Sequence, residues 1–200
     1  MSNSTLKEKT AKGLGWGFIE SFSGTGLTAI VSIILANILA PEQFGLVGMV
    51  AIFVTLGNSL MDSGFSGALI RKSDVTDKDL STVFYTNLAL GAGIYAILYA
   101  ISPWVASFLG YEILTKLLRV LSLSVIIVSF TQVQKVNFIR KIDFKTQAII
   151  SLIAAVTSGV ASIWMALTGW GVWALVAQQL SKQAMISILL WVFSSWKPSL

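Results

Sequence analysis

The sequence predicts an all-α integral membrane bundle, and three observations carry that prediction. Of the 200 residues, 55% are hydrophobic and only 12% charged, against about 25% charged in an ordinary soluble domain. The mean hydropathy is +0.80. Apolar runs recur at or above the ~20 residues a helix needs to cross the hydrocarbon core. Strict alternation of apolar and polar residues is absent, which argues against an outer-membrane barrel.

Six transmembrane helices are expected, over approximately Leu14–Leu39, Phe44–Ile70, Leu80–Pro103, Ile113–Val133, Phe144–Leu167 and Gly171–Phe193. The first follows Lys7, Lys9 and Lys12 and so imitates a signal peptide. Its apolar stretch is longer than a signal's, and Pro41 after Ala40 makes a poor cleavage site, so it reads as a retained helix. Ala40-Pro41-Glu42-Gln43 separates it from the second. Thr76 as N-cap and Asp79 at N3 form a capping box that opens the third. Leu109-Gly110-Tyr111-Glu112 precedes the fourth, and Thr168-Gly169-Trp170 precedes the sixth. Before the fifth, Gln134–Lys145 interleaves Val136, Phe138, Ile139, Ile142 and Phe144 with basic residues. That stretch suits either an interfacial helix on anionic lipid or a plain basic stop-transfer loop.

Basic residues set the orientation. Lys7, Lys9 and Lys12, then Arg71, Lys72 and Lys78, then Lys135, Arg140, Lys141 and Lys145, and finally Lys197 fall on one side. The alternate connections carry only Lys116 and Arg119, just inside the fourth helix. The positive-inside rule therefore places both termini in the cytoplasm. The tryptophans fall near helix ends: Trp16, Trp191 and Trp196 inside, Trp104, Trp164, Trp170 and Trp173 outside. This matches an interfacial aromatic belt.

The chain has no Cys and no His, which excludes a thiol nucleophile, an imidazole general base, and metal or haem sites built on those ligands. No soluble domain is inserted, and neither a cofactor nor a metal is expected. The net charge of +5 belongs to membrane-flanking loops, so nucleic acid is not an expected partner. Asp74-Val75-Thr76-Asp77-Lys78-Asp79 contains the Asp-x-Asp of a metal-dependent glycosyltransferase, but helix capping and the helix dipole account for the same residues. The sequon Asn3-Ser4-Thr5 falls on the cytoplasmic side. Gly13, Gly15, Gly17, Gly24, Gly26, Gly64, Gly67, Gly91 and Gly93 lie within apolar helices, where small residues permit close packing or bending.

Charges inside the membrane are the most informative residues, since each costs about 2.5–3.5 kcal/mol at a helix centre. Glu20 and Asp62 lie in the inner parts of the first and second helices, as candidates for ion coupling. Lys182 lies near the midpoint of the sixth, one turn from Gln178 and beside Gln179 and Gln183. These four residues suit a cationic, hydrogen-bonding wall for an anionic substrate. Pairing of Lys182 with Glu20 or Asp62 is the structural alternative.

Four segments carry a resemblance. Leu39-Ala40-Pro41-Glu42-Gln43-Phe44-Gly45, Asp62-Ser63-Gly64-Phe65-Ser66-Gly67-Ala68-Leu69-Ile70, Asp79-Leu80-Ser81-Thr82-Val83-Phe84 and Gly169-Trp170-Gly171-Val172-Trp173-Ala174-Leu175-Val176 follow one another in order and spacing. In this the chain resembles the Wzx-type polysaccharide flippases (exporters of O-antigen and colanic-acid-like repeats) of the multidrug/oligosaccharidyl-lipid/polysaccharide exporter superfamily. The resemblance implies one lobe, residues 1–200, of a two-lobe transporter of the multidrug-antiporter type, with the C-terminal lobe of the same protein as missing partner. It implies an inner-membrane protein, not an enzyme, that flips undecaprenyl-pyrophosphate-linked oligosaccharide by alternating access, with that lipid-linked sugar and membrane lipids as partners. Two rivals stand beside it. One is a drug/cation antiporter binding a proton or Na⁺ at Asp62 or Glu20; the other is a membrane-embedded glycosyl- or phosphotransferase using Asp74, Asp77 and Asp79.

Overall fold

The computed structural model describes residues 24–62, 69, 75–140, 144–194 and 196–198. All regular structure among them is helical: α1 Gly24–Ile38, α2 Pro41–Asp62, α3 Asp77–Leu109, α4 Ile113–Leu121, α5 Leu123–Arg140, α6 Phe144–Leu167 and α7 Val172–Phe193. Four stretches are long and apolar enough to cross a membrane: Pro41–Met61, Asp77–Leu109, Ile113–Ile139 and Lys145–Leu167. The 22-residue α7 has a span's length, about 33 Å at 1.5 Å per residue, but Gln178, Gln179, Lys182 and Gln183 make its middle polar. Of the first expected helix, only the part from Gly24 onward lies within the described residues.

The surface is that of a protein solvated by lipid. Ile33, Ile52, Leu60, Ile97, Leu167 and Val192 are each 61–70% exposed, on five different helices, far more apolar surface than a water-soluble monomer presents. The interior combines apolar clusters with buried polar side chains such as Asn87, Gln134 and Gln147. In α4, Leu114, Leu117, Leu118 and Leu121 fall on one helical face, and all are fully buried. They pack with Val50 and Val54 of α2, Leu98 of α3, Val125 of α5 and Val176 of α7. A second cluster joins Val31 and Leu35 of α1 to Ala166 of α6 and Leu175 of α7.

The capping box forms as the sequence predicts. The Asp79 amide donates to Thr76 Oγ1 at 3.3 Å, and the Thr76 amide donates to Asp79 Oδ2 at 2.9 Å. Turn chemistry also falls where expected. Gly110 caps α3 with φ +79°, a left-handed conformation suited to glycine. Gly171, at φ +57°, lies against the Gln43 side chain. That contact places the α1–α2 and α6–α7 connections at the same end of the bundle, as alternating topology requires. At the other end Leu69, Leu80, Val133, Val136 and Trp196 meet in one cluster.

Among the described residues, the main departures from the sequence reading lie in the third and fourth helices. The third helix does not stop at Pro103 but runs on to Leu109. Pro103 has no N–H for the Tyr99 carbonyl, and the Ser102 hydroxyl donates to that carbonyl instead, at 2.7 Å. The fourth helix is interrupted at Ser122, whose hydroxyl donates back to the Arg119 carbonyl at 3.1 Å, a side-chain bond that competes with the regular ladder. It then continues beyond Val133 to Arg140. This extension buries Val136 and Phe138 within the protein, whereas an interfacial helix would leave them to the lipid surface. Trp196 is likewise only 8% exposed. It packs edge-on against Phe84, so its ring is covered by protein.

Candidate functional site

α7 supplies the polar residues of the site because they recur at one-turn spacing in an otherwise apolar helix. Gln178, Gln179, Lys182 and Gln183 line a single cleft of about 500 Å³, closed on other sides by Thr28 and Ser32 of α1 and by Phe44, Val47 and Gly48 of α2. The structure thus brings together all four residues that the sequence singles out on the sixth helix. Gly48 narrows this part of α2, with open space where a Cβ would stand.

Lys182 is held by α1. Its Nζ donates to Thr28 Oγ1 at 2.7 Å, and Thr28 Oγ1 donates onward to the Gly24 carbonyl at 2.6 Å. An ammonium has three donors, and among the described residues Thr28 takes one of them. The hydroxyl therefore fixes the position of the cation without neutralising it. Glu20 and the side chain of Asp62, the two carboxylates expected inside the membrane, lie outside the described residues. Among the described residues no group of His, Cys, Asp or Glu side chains could hold a metal ion.

Sequence reasoning did not single out Thr28 and Ser32, although a signal was present. Gly24, Thr28 and Ser32 recur every four residues along an apolar helix and share a face. It also passed over Arg119 as a charge inside the bundle. Its Nε donates to Ser102 Oγ at 2.9 Å, and its guanidinium lies 4.2 Å from the centroid of the Tyr99 ring, a cation–π distance. Arg119 is thereby committed to the α3–α4 contact, while Lys182 faces a cleft.

The cleft thus sets amides, hydroxyls and a lysine within an otherwise apolar bundle. Residues 34–200 match the profile of the family described as Polysaccharide biosynthesis protein. The chain belongs to that family. It is 29% identical over 175 residues, 87% of the chain, to the succinoglycan biosynthesis transport protein ExoT of Rhizobium meliloti. It is 25% identical over 140 residues, 70% of the chain, to the lipopolysaccharide biosynthesis protein WzxC of Escherichia coli. To the teichuronic acid biosynthesis protein TuaB of Bacillus subtilis it is 27% identical over 198 residues, 98% of the chain. The matched segments are 35%, 28% and 41% of those relatives' lengths. The chain therefore spans about a third of the relatives it matches. No solved structure matches it. The helices and their lipid-facing surface describe a multi-pass membrane protein, and the family to which it belongs is one of polysaccharide biosynthesis.

Proposed function

We propose that this chain forms the N-terminal lobe of a polysaccharide exporter in the bacterial inner membrane, with its N-terminus in the cytoplasm. In this reading the whole transporter flips an undecaprenyl-pyrophosphate-linked oligosaccharide to the opposite leaflet, and a second lobe in the remaining length closes the transport cleft. The obstacle is physical. Sugar hydroxyls and phosphates entering hydrocarbon lose their hydrogen bonds at a cost of several kcal/mol each. A polar cleft lowers that barrier while the lipid tail stays in the bilayer, and rocking of the two lobes exposes the cleft to each side in turn. No covalent step is needed.

The observation that carries this reading is Lys182, set by Thr28 with three glutamines around one cleft. The cation attracts the pyrophosphate, and the amides replace water around its oxygens. The test uses a chain of the relatives' full length in a strain lacking its own flippase. Lys182→Ala is expected to reduce transport of lipid-linked repeats at least tenfold with little change in membrane abundance. Lys182→Arg is expected to keep part of the activity, because the charge survives while shape and hydration change. Normal transport by well-expressed Lys182→Ala would remove Lys182 from the substrate path. Loss of abundance that is restored by also removing Glu20 or Asp62 would assign it to a structural ion pair instead.

A further inference from the structure

A second cavity, of about 410 Å³, adjoins the Lys182 cleft and shares Gln183 with it. It lies between α2, α5, α6 and α7 and falls within the ~300–1,000 Å³ range of small-molecule sites. Two of its lining side chains have buried polar atoms with no hydrogen-bond partner among the described residues: Asn58 Oδ1, an acceptor, and Gln147 Nε2, a donor. Gln147 is only 6% exposed. Buried polar atoms are normally satisfied, and an exception calls for an explanation. Ser151 lies one turn beyond Gln147 on α6 and lines the same space, while Ile150, Ile186 and Leu190 give it an apolar wall.

We propose that this inner cavity is a subsite for a neutral, hydroxyl-rich ring, one sugar residue held between Asn58 and Gln147. The proposal rests on the reading of the neighbouring cleft as the headgroup site, and it adds a separate place for the sugar. The argument is one of complementarity. A hydroxyl both donates and accepts, so hydroxyls of one ring satisfy Asn58 Oδ1 and Gln147 Nε2 together. An anion satisfies only the amide donor, and a metal cation only the acceptor. The apolar wall matches the C–H face of a pyranose ring. Each space has one lysine among its described lining residues, differently placed. Lys182 lines the outer cleft, whereas the charge among the described residues lining the inner cavity is Lys135, whose side chain is exposed. Gln183, common to both, joins phosphate chemistry to sugar chemistry along one helix face.

The absence of cysteine makes the test direct, because Ser151→Cys and Ser32→Cys each create a single thiol, in the inner cavity and the outer cleft respectively. The 200-residue chain in lipid nanodiscs is alkylated with a small neutral maleimide. The probes are the methyl glycosides of glucose, galactose and N-acetylglucosamine, and inorganic pyrophosphate. At least one glycoside is expected to slow alkylation of Ser151→Cys threefold or more, while pyrophosphate leaves it unchanged. Adding Gln147→Met or Asn58→Leu should abolish that protection, each in protein that still runs as a single species. Pyrophosphate protection of Ser32→Cys, lost with Lys182→Ala, reports separately on the headgroup site. The subsite is overturned if no glycoside protects Ser151→Cys, whether or not pyrophosphate protects Ser32→Cys. It is equally overturned if pyrophosphate protects Ser151→Cys as well as the glycosides do, or if protection survives either amide substitution.

Discussion

A Cβ added at Gly91 would stand 2.8 Å from Ser129 Cβ and 2.9 Å from its Oγ, whereas one added at Gly93 would meet nothing within 4 Å. The two glycines are two residues apart on the same helix, yet only Gly91 lets α3 and α5 approach closely. Gly91→Ala is expected to cost about 1–3 kcal/mol through overpacking, and Gly93→Ala to be neutral or slightly stabilising, as alanine is favoured over glycine by roughly 0.5–1 kcal/mol within a helix. Unfolding midpoints in mixed micelles check both, and Ser129→Gly in the Gly91→Ala background should recover most of the loss. Equal effects of the two alanines would contradict the packing. The same contrast holds on α1, where a Cβ at Gly24 would meet Ser151 Cβ at 3.3 Å and one at Gly26 would meet nothing. Sequence marks all four as small residues in apolar helices, and only the neighbouring helix distinguishes them.

At the scale of the element, Ser102 keeps α3 continuous. Its hydroxyl donates to the Tyr99 carbonyl that Pro103 cannot reach and accepts from Arg119 Nε, so it joins a proline-interrupted ladder to a cation on the next helix. Ser102→Ala leaves the carbonyl and the guanidinium short of a partner each, and a loss of about 1–3 kcal/mol is expected. Pro103→Ala restores a backbone N–H, so the double variant should regain part of that stability, though not the part belonging to Arg119. The measurement is again the unfolding midpoint; a double variant no better than Ser102→Ala would show that the Tyr99 carbonyl is not the point of strain. The terminal segment follows a similar pattern. Gln134 Nε2 donates to the Trp196 carbonyl at 3.3 Å, and the Ser194 hydroxyl donates to Gln134 Oε1. These bonds hold the chain after α7 against α5, where the sequence suggested an interfacial helix or a basic loop, and a belt tryptophan.

For the whole molecule, contacts such as Gly171 with Gln43 place two connections at one end, and the proposed direction across the membrane rests on Lys and Arg. Reporter fusions near Gln43, Gly110 and Gly169 are expected to register outside the cytoplasm, and fusions near Asp77 and Lys141 inside it. A reversed pattern would invert the orientation without altering the fold. The inner cavity and the Lys182 cleft then lie in series along α7, from Leu190 towards Leu175. Together the two spaces extend roughly 22 Å along α7 at 1.5 Å per residue, with Gln178, Gln179, Lys182 and Gln183 in the middle and a leucine at each end.

The amino-acid sequence by itself determined the solvent of this protein, its all-helical class, the capping box at Thr76 and the polar stripe on the sixth expected helix. Each of these depends on residues close together in the chain: a run of apolar side chains, a cap three residues from its partner, amides one turn from a lysine. Only the tertiary structure decided that α3 continues past Pro103, that Arg119 is committed to Tyr99 and Ser102, and that Asn58 and Gln147 face one cavity. It also decided what holds Lys182, since Thr28 is 154 positions away in the chain. Such contacts depend on how the helices rotate and pack against one another. Periodicity shows which residues share a face of one helix, and packing determines what that face meets.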